Sequence, residues 1–262
     1  DVYVNDAFAA AHRNAPSMVA FQELLPTAGG RLLIDEVTAL SGVSSDPKRP
    51  CVFVLGGLKI SDAFSMMDKV LADGTADTIL TTGITANVML IASGGDLGEP
   101  TAAFINDRSL DVFIPRAAEL LSVYGDRIEV PTDLAFDDRG ERREIAVSDL
   151  PTDHLLIDVG SETVASYEAK IATAATLFVN GPAGVYESAA GEYGTRSLWE
   201  AVAASSGYSV IGGGDTVASA RRFVDPGDID FISTGGGALI RFLSGQPLPL
   251  LDAMENAVVR SP

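Results

Sequence analysis

Two glycine triplets, Gly212-Gly213-Gly214 and Gly235-Gly236-Gly237, each stand between a short apolar run and a helical pattern. Glycine has no Cβ, so the chain there takes positive φ and a ligand comes close to the backbone. The helix start that follows presents unpaired N–H groups and roughly half a positive charge. In an acidic chain, such local nests are the means of holding an anion against the overall field. The competing reading is that each glycine only shapes a tight turn. Two triplets at successive strand ends speak against it, because turns alone rarely need three glycines in a row.

Side chains beside these turns carry the remaining chemistry. Lys59 follows Gly56-Gly57 at the end of an apolar run, where its ammonium either faces the anion site or is merely solvated at a helix start. Lysine is scarce, with Lys48, Lys59, Lys69 and Lys170 alone present, which gives Lys59 added weight. Asp215 follows Gly214 and either caps the next helix or holds Mg²⁺, a hard cation that favours oxygen. Glu187, in NGPAGVYE, either accepts hydrogen bonds from sugar hydroxyls or is simply exposed. His12-Arg13 reads as a surface pair, Cys51 as an inert buried residue, and Trp199, spaced with Leu198 and Val202, as core. The motif GxxxxGKS/T is absent, which excludes a P-loop protein; GxGxxG is absent too, which weakens a dinucleotide reading; and with neither HExxH nor paired CxxC a zinc site has no support.

What must position these residues is a recurring unit of apolar strand, glycine and helix. Strands are expected at 51–55, 78–81, 154–157, 176–179, 209–211 and 230–232. Continuous apolar strands alternating with helices define an α/β fold: a doubly wound, Rossmann-like parallel sheet with helices on both faces. Ligands then sit at the carboxyl ends of the strands, where the glycines are. Residues 129–135 and 144–147 read as a solvent-exposed hairpin around the charged turn 137–144, with no further role. Residues 21–25 and 30–40 read as helical, with an apolar face at Val19, Phe21, Leu24 and Leu25 that seeks cover.

The 262 residues carry 36 acidic and 18 basic side chains, a net charge of −18. That excludes nucleic acid and anionic membrane as partners at long range. An acidic, lysine-poor composition fits life at high salt, where screening removes self-repulsion. With one cysteine and no apolar run of membrane-spanning length, a cytoplasmic monomer is expected.

The ordered set YVNDAFAAAHR, VLGGLKISD, the turn at Asp158-Val159-Gly160, FVNGPAGVYE, GGGDTVA and ISTGGGALIRFLSG runs along nearly all of the chain and resembles the phosphoglycerate kinase family, in an archaeal variant. The resemblance implies the nucleotide-binding domain of a two-domain kinase that moves a phosphoryl group between 1,3-bisphosphoglycerate and ADP, giving 3-phosphoglycerate and ATP, with Mg²⁺. It implies that Lys59, Gly236 and Gly237 serve the phosphoryl group in flight. Gly213, Gly214 and Thr216 would wrap the nucleotide phosphates, and Asp215 would bind their Mg²⁺. Glu187 would take the ribose with Asn180 nearby, Gly57 and Gly83 would line the adenine pocket, and Arg13 would belong to the phosphoglycerate patch.

On this resemblance, residues 1–45 are expected to be a remnant of the amino-terminal domain plus an interdomain helix. Residues 46–245 are the nucleotide domain, and 246–262 a tail that packs on the amino-terminal domain. Most of that domain, with its basic substrate patch, is missing from the match. Ala63, Ser161, Val179 and Thr81-Thr82 depart from residues common in bacterial and eukaryotic members. The alternative reading is a non-catalytic nucleotide-binding module that needs a partner chain. A dinucleotide oxidoreductase is a weaker third.

Overall fold

The computed structural model describes residues 1–260. In chain order the elements are β1 (Tyr3–Asn5), α1 (Pro16–Val19), β2 (Thr27–Gly29), α2 (Arg31–Ser44), β3 (Cys51–Leu55), α3 (Ile60–Ala72), β4 (Thr78–Thr81), α4 (Gly83–Ala92), α5 (Glu99–Asp107), α6 (Ile114–Tyr124) and β5 (Ile128–Glu129). There follow β6 (Asp133–Asp138), β7 (Glu141–Ala146), β8 (Leu156–Val159), α7 (Ser161–Thr173), β9 (Thr176–Asn180), α8 (Tyr193–Ala204), β10 (Tyr208–Gly212), α9 (Gly214–Phe223), β11 (Phe231–Ser233), α10 (Gly236–Leu243) and α11 (Pro249–Arg260).

Six strands form a parallel sheet in the order β11-β10-β9-β3-β4-β5. All five residues of β3 are buried because the strand is central and covered on both faces. Successive side chains point to opposite faces. Phe53 and Leu55 therefore join the core under α2, α3 and α10, while Val52 and Val54 join the core under α7 and α8. Phe53 and Phe178 meet across the β3–β9 pair with centroids 5.1 Å apart. Burying side chains of this size is worth about 1.5–3 kcal/mol each.

From β3 the chain winds outward through β4 and β5, then returns to β3's other side and winds the opposite way through β9, β10 and β11. The crevice between the carboxyl ends of β3 and β9 is thus the topological switch point, where such sheets hold ligands. The expected doubly wound class is what the structure shows.

Two expectations about strands need correction. The run 154–157 is not a strand of the parallel sheet. It lies at 156–159 as β8, antiparallel to β6, in a separate three-stranded sheet β7-β6-β8. Its apolar run is real, but burial alone does not tell a parallel strand from an antiparallel one. The hairpin is displaced as well: β6 and β7 run through the charged segment and turn only at Arg139-Gly140. Residues 128–129 leave the hairpin and pair with β4 as the sheet edge.

Phe8, Met18, Leu33, Leu40 and Val43 belong to the same core as β3 and α3. Buried Glu36 on α2 accepts from the Ser233 hydroxyl (2.7 Å), the Thr234 N–H (2.6 Å) and the Thr234 hydroxyl (2.7 Å), tying α2 to the turn before α10. Residues 21–23 form a single 3-10 turn rather than a helix, and Phe21, Leu24 and Leu25 remain exposed with Val2 and Val4. α11 lies against α1, with Leu250 donating its N–H to Ala11. The last two residues of the expected tail fall outside the described residues. Among the described residues, no helix is long and apolar enough to cross a membrane.

Candidate functional site at the topological switch point

The turns after β3 and β9 interlock through backbone alone. Gly56 N–H donates to Asn180 O and Gly57 N–H to Pro182 O, both at 2.9 Å. Gly57 and Gly181 hold φ of +76° and +91°, and a Cβ on Gly181 would lie 2.2 Å from Gly56 O. Gly83, at φ +55°, packs against Gly57 so closely that a Cβ would come within 2.9 Å of its nitrogen. Asn180 Nδ2 donates to Gly212 O (2.7 Å), and the Thr216 hydroxyl accepts from Gly181 N–H (2.8 Å). Both side chains are therefore spent on the frame. Thr216 keeps its N–H in the first turn of α9 for a ligand.

Each glycine triplet divides its labour. A Cβ on Gly212 would meet Leu239, and one on Gly235 would meet the Phe8 ring at 2.3 Å, so these two pack core. Gly213 turns the chain at φ +101°, and Gly237 faces the His12 ring, whose Nε2 is 3.3 Å from the Cβ position. Gly214 and Gly236, at the starts of α9 and α10, have nothing within 4 Å. Their lack of a side chain leaves open space rather than relieving a contact. Gly214→Ala and Gly236→Ala are expected to leave the melting temperature unchanged while weakening the binding of phosphate-bearing ligands. Gly181→Ala is expected to cost stability, about 1–3 kcal/mol or more. Thermal melts beside ligand titrations separate the two effects, and a stability loss in Gly214→Ala would overturn the assignment.

Lys59 stands at the N-cap position of α3, and its Nζ is 3.8 Å from Asp215 Oδ2. Both side chains are about 70% exposed, at 71% and 70%, so the pair is weak and either partner is free to turn to a ligand. The capping reading of Asp215 fails. Gly213 is the N-cap of α9, no side chain caps it, and Asp215 lies within the first turn. Asp62 also borders this cavity, and burial raises its carboxyl above the usual range, opposed by Lys59. The Tyr186 phenol is raised too, by burial first and then by the carboxylates of Glu187 and Asp215.

Two cavities meet here. The smaller, about 130 Å³, is lined by both triplet turns, Lys59, Asp62, Asn180, Asp215 and Thr216. The larger, about 510 Å³, is walled by Gly83, Ile84, Leu134, Leu156, Val159, Val185 and Tyr186, with Glu187 at its side. Gly57, Leu58, Pro182 and Asp215 border both. A mostly apolar chamber thus opens directly onto a chamber of backbone N–H groups and one ammonium. Of the residues to which the resemblance assigns a ligand role, Arg13 alone lies outside both cavities, exposed. Its neighbour His12 is the one brought to Gly237, with Nδ1 buried and unpartnered.

Sequence reasoning missed Arg142. On β7 it reaches Asp158 Oδ2 (2.8 Å), Ala190 O (3.0 Å), Val159 O (2.6 Å) and Glu144 (3.0 Å), with its guanidinium over the Tyr193 ring. It clamps the segment that carries Glu187 to the three-stranded sheet. The hairpin is therefore not inert. The signal available was an arginine alternating with exposed charges, and nothing in its spacing named the partners.

The site and fold together define a doubly wound α/β protein with its ligand crevice at the switch point. The model of the family described as phosphoglycerate kinase matches residues 1–246. The chain is 43% identical over 261 residues to the phosphoglycerate kinase of Methanothermus fervidus, covering 100% of this chain and 63% of that protein. It is 44% identical over 257 residues to that of Halobacterium salinarum, covering 97% and 64%. The crystal structure of phosphoglycerate kinase from Pyrococcus horikoshii superposes with a TM-score of 0.91 at 35% identity, over 100% of this chain and 65% of that one. The chain belongs to the phosphoglycerate kinase family, and it spans less than two thirds of the length of these relatives.

Proposed function

We propose that this chain carries the nucleotide half of a phosphoglycerate kinase, the enzyme that moves a phosphoryl group reversibly between 1,3-bisphosphoglycerate and ADP. The observation that carries the reading is the joined pair of cavities, sized and lined for a base on one side and phosphates on the other. The base enters among Gly57, Gly83, Ile84 and Val185. Glu187 accepts from the ribose hydroxyls. The phosphates lie against the N–H groups at the starts of α9 and α10, which favour anions.

Phosphoryl transfer asks for position and charge rather than a covalent residue. Lys59 neutralises charge on the oxygens in flight, and the open turn at Gly236-Gly237 presents N–H groups to them. Asp215 would hold Mg²⁺, and the ion would supply positive charge to offset that of the nucleotide phosphates. The donor set fits that ion: one exposed carboxylate, Asp215, beside the phosphate chamber, which matches its habit of binding one or two carboxylates plus phosphates and water. Among the described residues no group of three or more His, Cys, Asp or Glu side chains competes to hold a metal alone. His12 and Arg13 would face the phosphoglycerate, whose remaining contacts come from a partner domain. The exposed Val2, Val4, Phe21 and Leu24 supply an apolar surface for such a domain, which also supports the reading of a module that needs a partner chain. A soluble cytoplasmic monomer adapted to high salt completes the proposal, the last on the acidic composition.

Calorimetric titration of Mg-ADP into the chain in molar KCl tests the reading. Saturable binding at a single site is expected, with poor turnover, since orienting both reactants is worth about 7–11 kcal/mol at best and half of that machinery is elsewhere. A folded chain that binds no nucleotide would overturn it.

A further inference from the structure

Among the polar side chains that border the larger cavity, Asn87 belongs neither to the proposed machinery nor to a hydrogen-bonded pair. Asn87 lies on α4 one turn after Gly83, and the i, i+4 relation puts both on the face that borders the cavity. The residue is 4% exposed, its carboxamide makes no hydrogen bond to the described residues, and what remains accessible of it opens on the cavity. An amide that no protein group satisfies and that a ligand can reach keeps its donor and its acceptor for that ligand. Its position is explained if a ligand completes it. Of the other polar side chains on this wall, Tyr186 packs its ring edge-on to Phe223, and Asp158 is committed through Oδ2 while its Oδ1 stays buried without a partner. Asp158 holds Arg142 and Gly194 N–H, Arg108 lies over the Phe104 ring at the exposed surface, and Glu187 stands on the loop at the ribose side.

We propose that Asn87 reads the edge of the nucleotide base and makes the site select adenine. The inference rests on the nucleotide reading above and adds a determinant of base choice. A carboxamide offers one acceptor and one donor side by side, which matches the exocyclic N6 amine and N7 of adenine as a bidentate pair. Guanine and hypoxanthine present acceptors at both O6 and N7, so one hydrogen bond is lost and two acceptors face each other. The apolar walls alone would accept any purine.

The test compares Mg-ADP, Mg-GDP, Mg-IDP and inorganic tripolyphosphate as calorimetric ligands for the wild type, Asn87→Asp and Asn87→Leu, with circular dichroism and melts recorded for each. The wild type is expected to prefer ADP over GDP and IDP by about tenfold or more. Asn87→Asp keeps the shape but offers only acceptors. It is expected to lose that preference or reverse it toward IDP and GDP, whose N1–H is a donor. Asn87→Leu is expected to bring the three nucleotides to parity. Tripolyphosphate, which has no base, is expected to bind all three proteins alike. Equal affinities in the wild type, or a preference for ADP that survives both substitutions, would overturn the role of Asn87 while leaving the nucleotide site standing. Failure of the folded wild type to bind any nucleotide would overturn both.

Discussion

Asp215→Ala uncouples nucleotide affinity from Mg²⁺. In the wild type, ADP is expected to bind at least about tenfold tighter with Mg²⁺ than with a chelator, because Asp215 is the more exposed of the two carboxylates that border the phosphate chamber, Asp62 being part-buried. In Asp215→Ala that advantage vanishes. Metal-free ADP is expected to bind this variant more tightly than it binds the wild type, since a negative charge 3.8 Å from Lys59 has been removed and the ammonium is released to the phosphates. Lys59→Ala acts in the opposite sense. It weakens ADP with and without metal, and wherever the complete reaction is assayed it slows phosphoryl transfer by about 10²–10³, the scale of losing one preorganised donor to developing charge. The experiment is a set of titrations of the three proteins with ADP, in Mg²⁺ and in chelator. An Asp215→Ala protein with wild-type Mg²⁺ dependence would place the ion on other groups. Asp215 sits in the first turn of α9 without capping it, so the substitution should not unfold the helix.

The parts of this site that were legible in the sequence are those whose residue type has few uses. Consecutive glycines at strand ends announce backbone approach, and Gly214 and Gly236 do stand open. The strands of the central sheet were legible because burial on both faces leaves an unbroken apolar run, as in Cys51–Leu55. The same rule misled at β8, where the strand takes in Asp158 and Val159 beyond the expected run 154–157 and pairs antiparallel with β6. β5 is only two residues long and carries no pattern to read. Contacts between distant positions were invisible. Glu36 meets Ser233 and Thr234 across 197 and 198 positions, and Arg142 meets Ala190 across 48. A charged residue announces that it needs a partner if buried, but never which one. Asn87 was unreadable for a related reason: an amide in an apolar helix becomes informative only once its partners are seen to be absent.

Arg142→Met is expected to be the most destabilising single change at the site, and its effect should depend on pH. Asp158 has a fully buried side chain, and burial pushes its carboxyl up to about 6, against the opposing pull of the Gly194 N–H and Arg142. The folded state therefore holds this proton more tightly than the unfolded chain, whose reference value is 3.8. Asp158 alone then favours folding at low pH, and that contribution is lost as pH rises through about 6, about 3 kcal/mol in all. Above pH 6 the ionised carboxylate is held by Arg142. Removing the guanidinium strands a buried charge, at a cost of about 3–5 kcal/mol. At lower pH, Asp158 takes up a proton and the deficit shrinks. Melts of wild type, Arg142→Met and Asp158→Asn between pH 5 and 8 check this, because the difference between wild type and Asp158→Asn removes the slope due to the many other carboxylates. A deficit in Arg142→Met that stays constant over that range would refute the coupling. The functional consequence follows from where the clamp closes. Arg142 also holds Ala190 O, three residues beyond Glu187, so a protein that has lost the guanidinium should bind ADP less tightly even at pH values where it remains folded, while inorganic tripolyphosphate, which needs only the glycine turns, should bind as before.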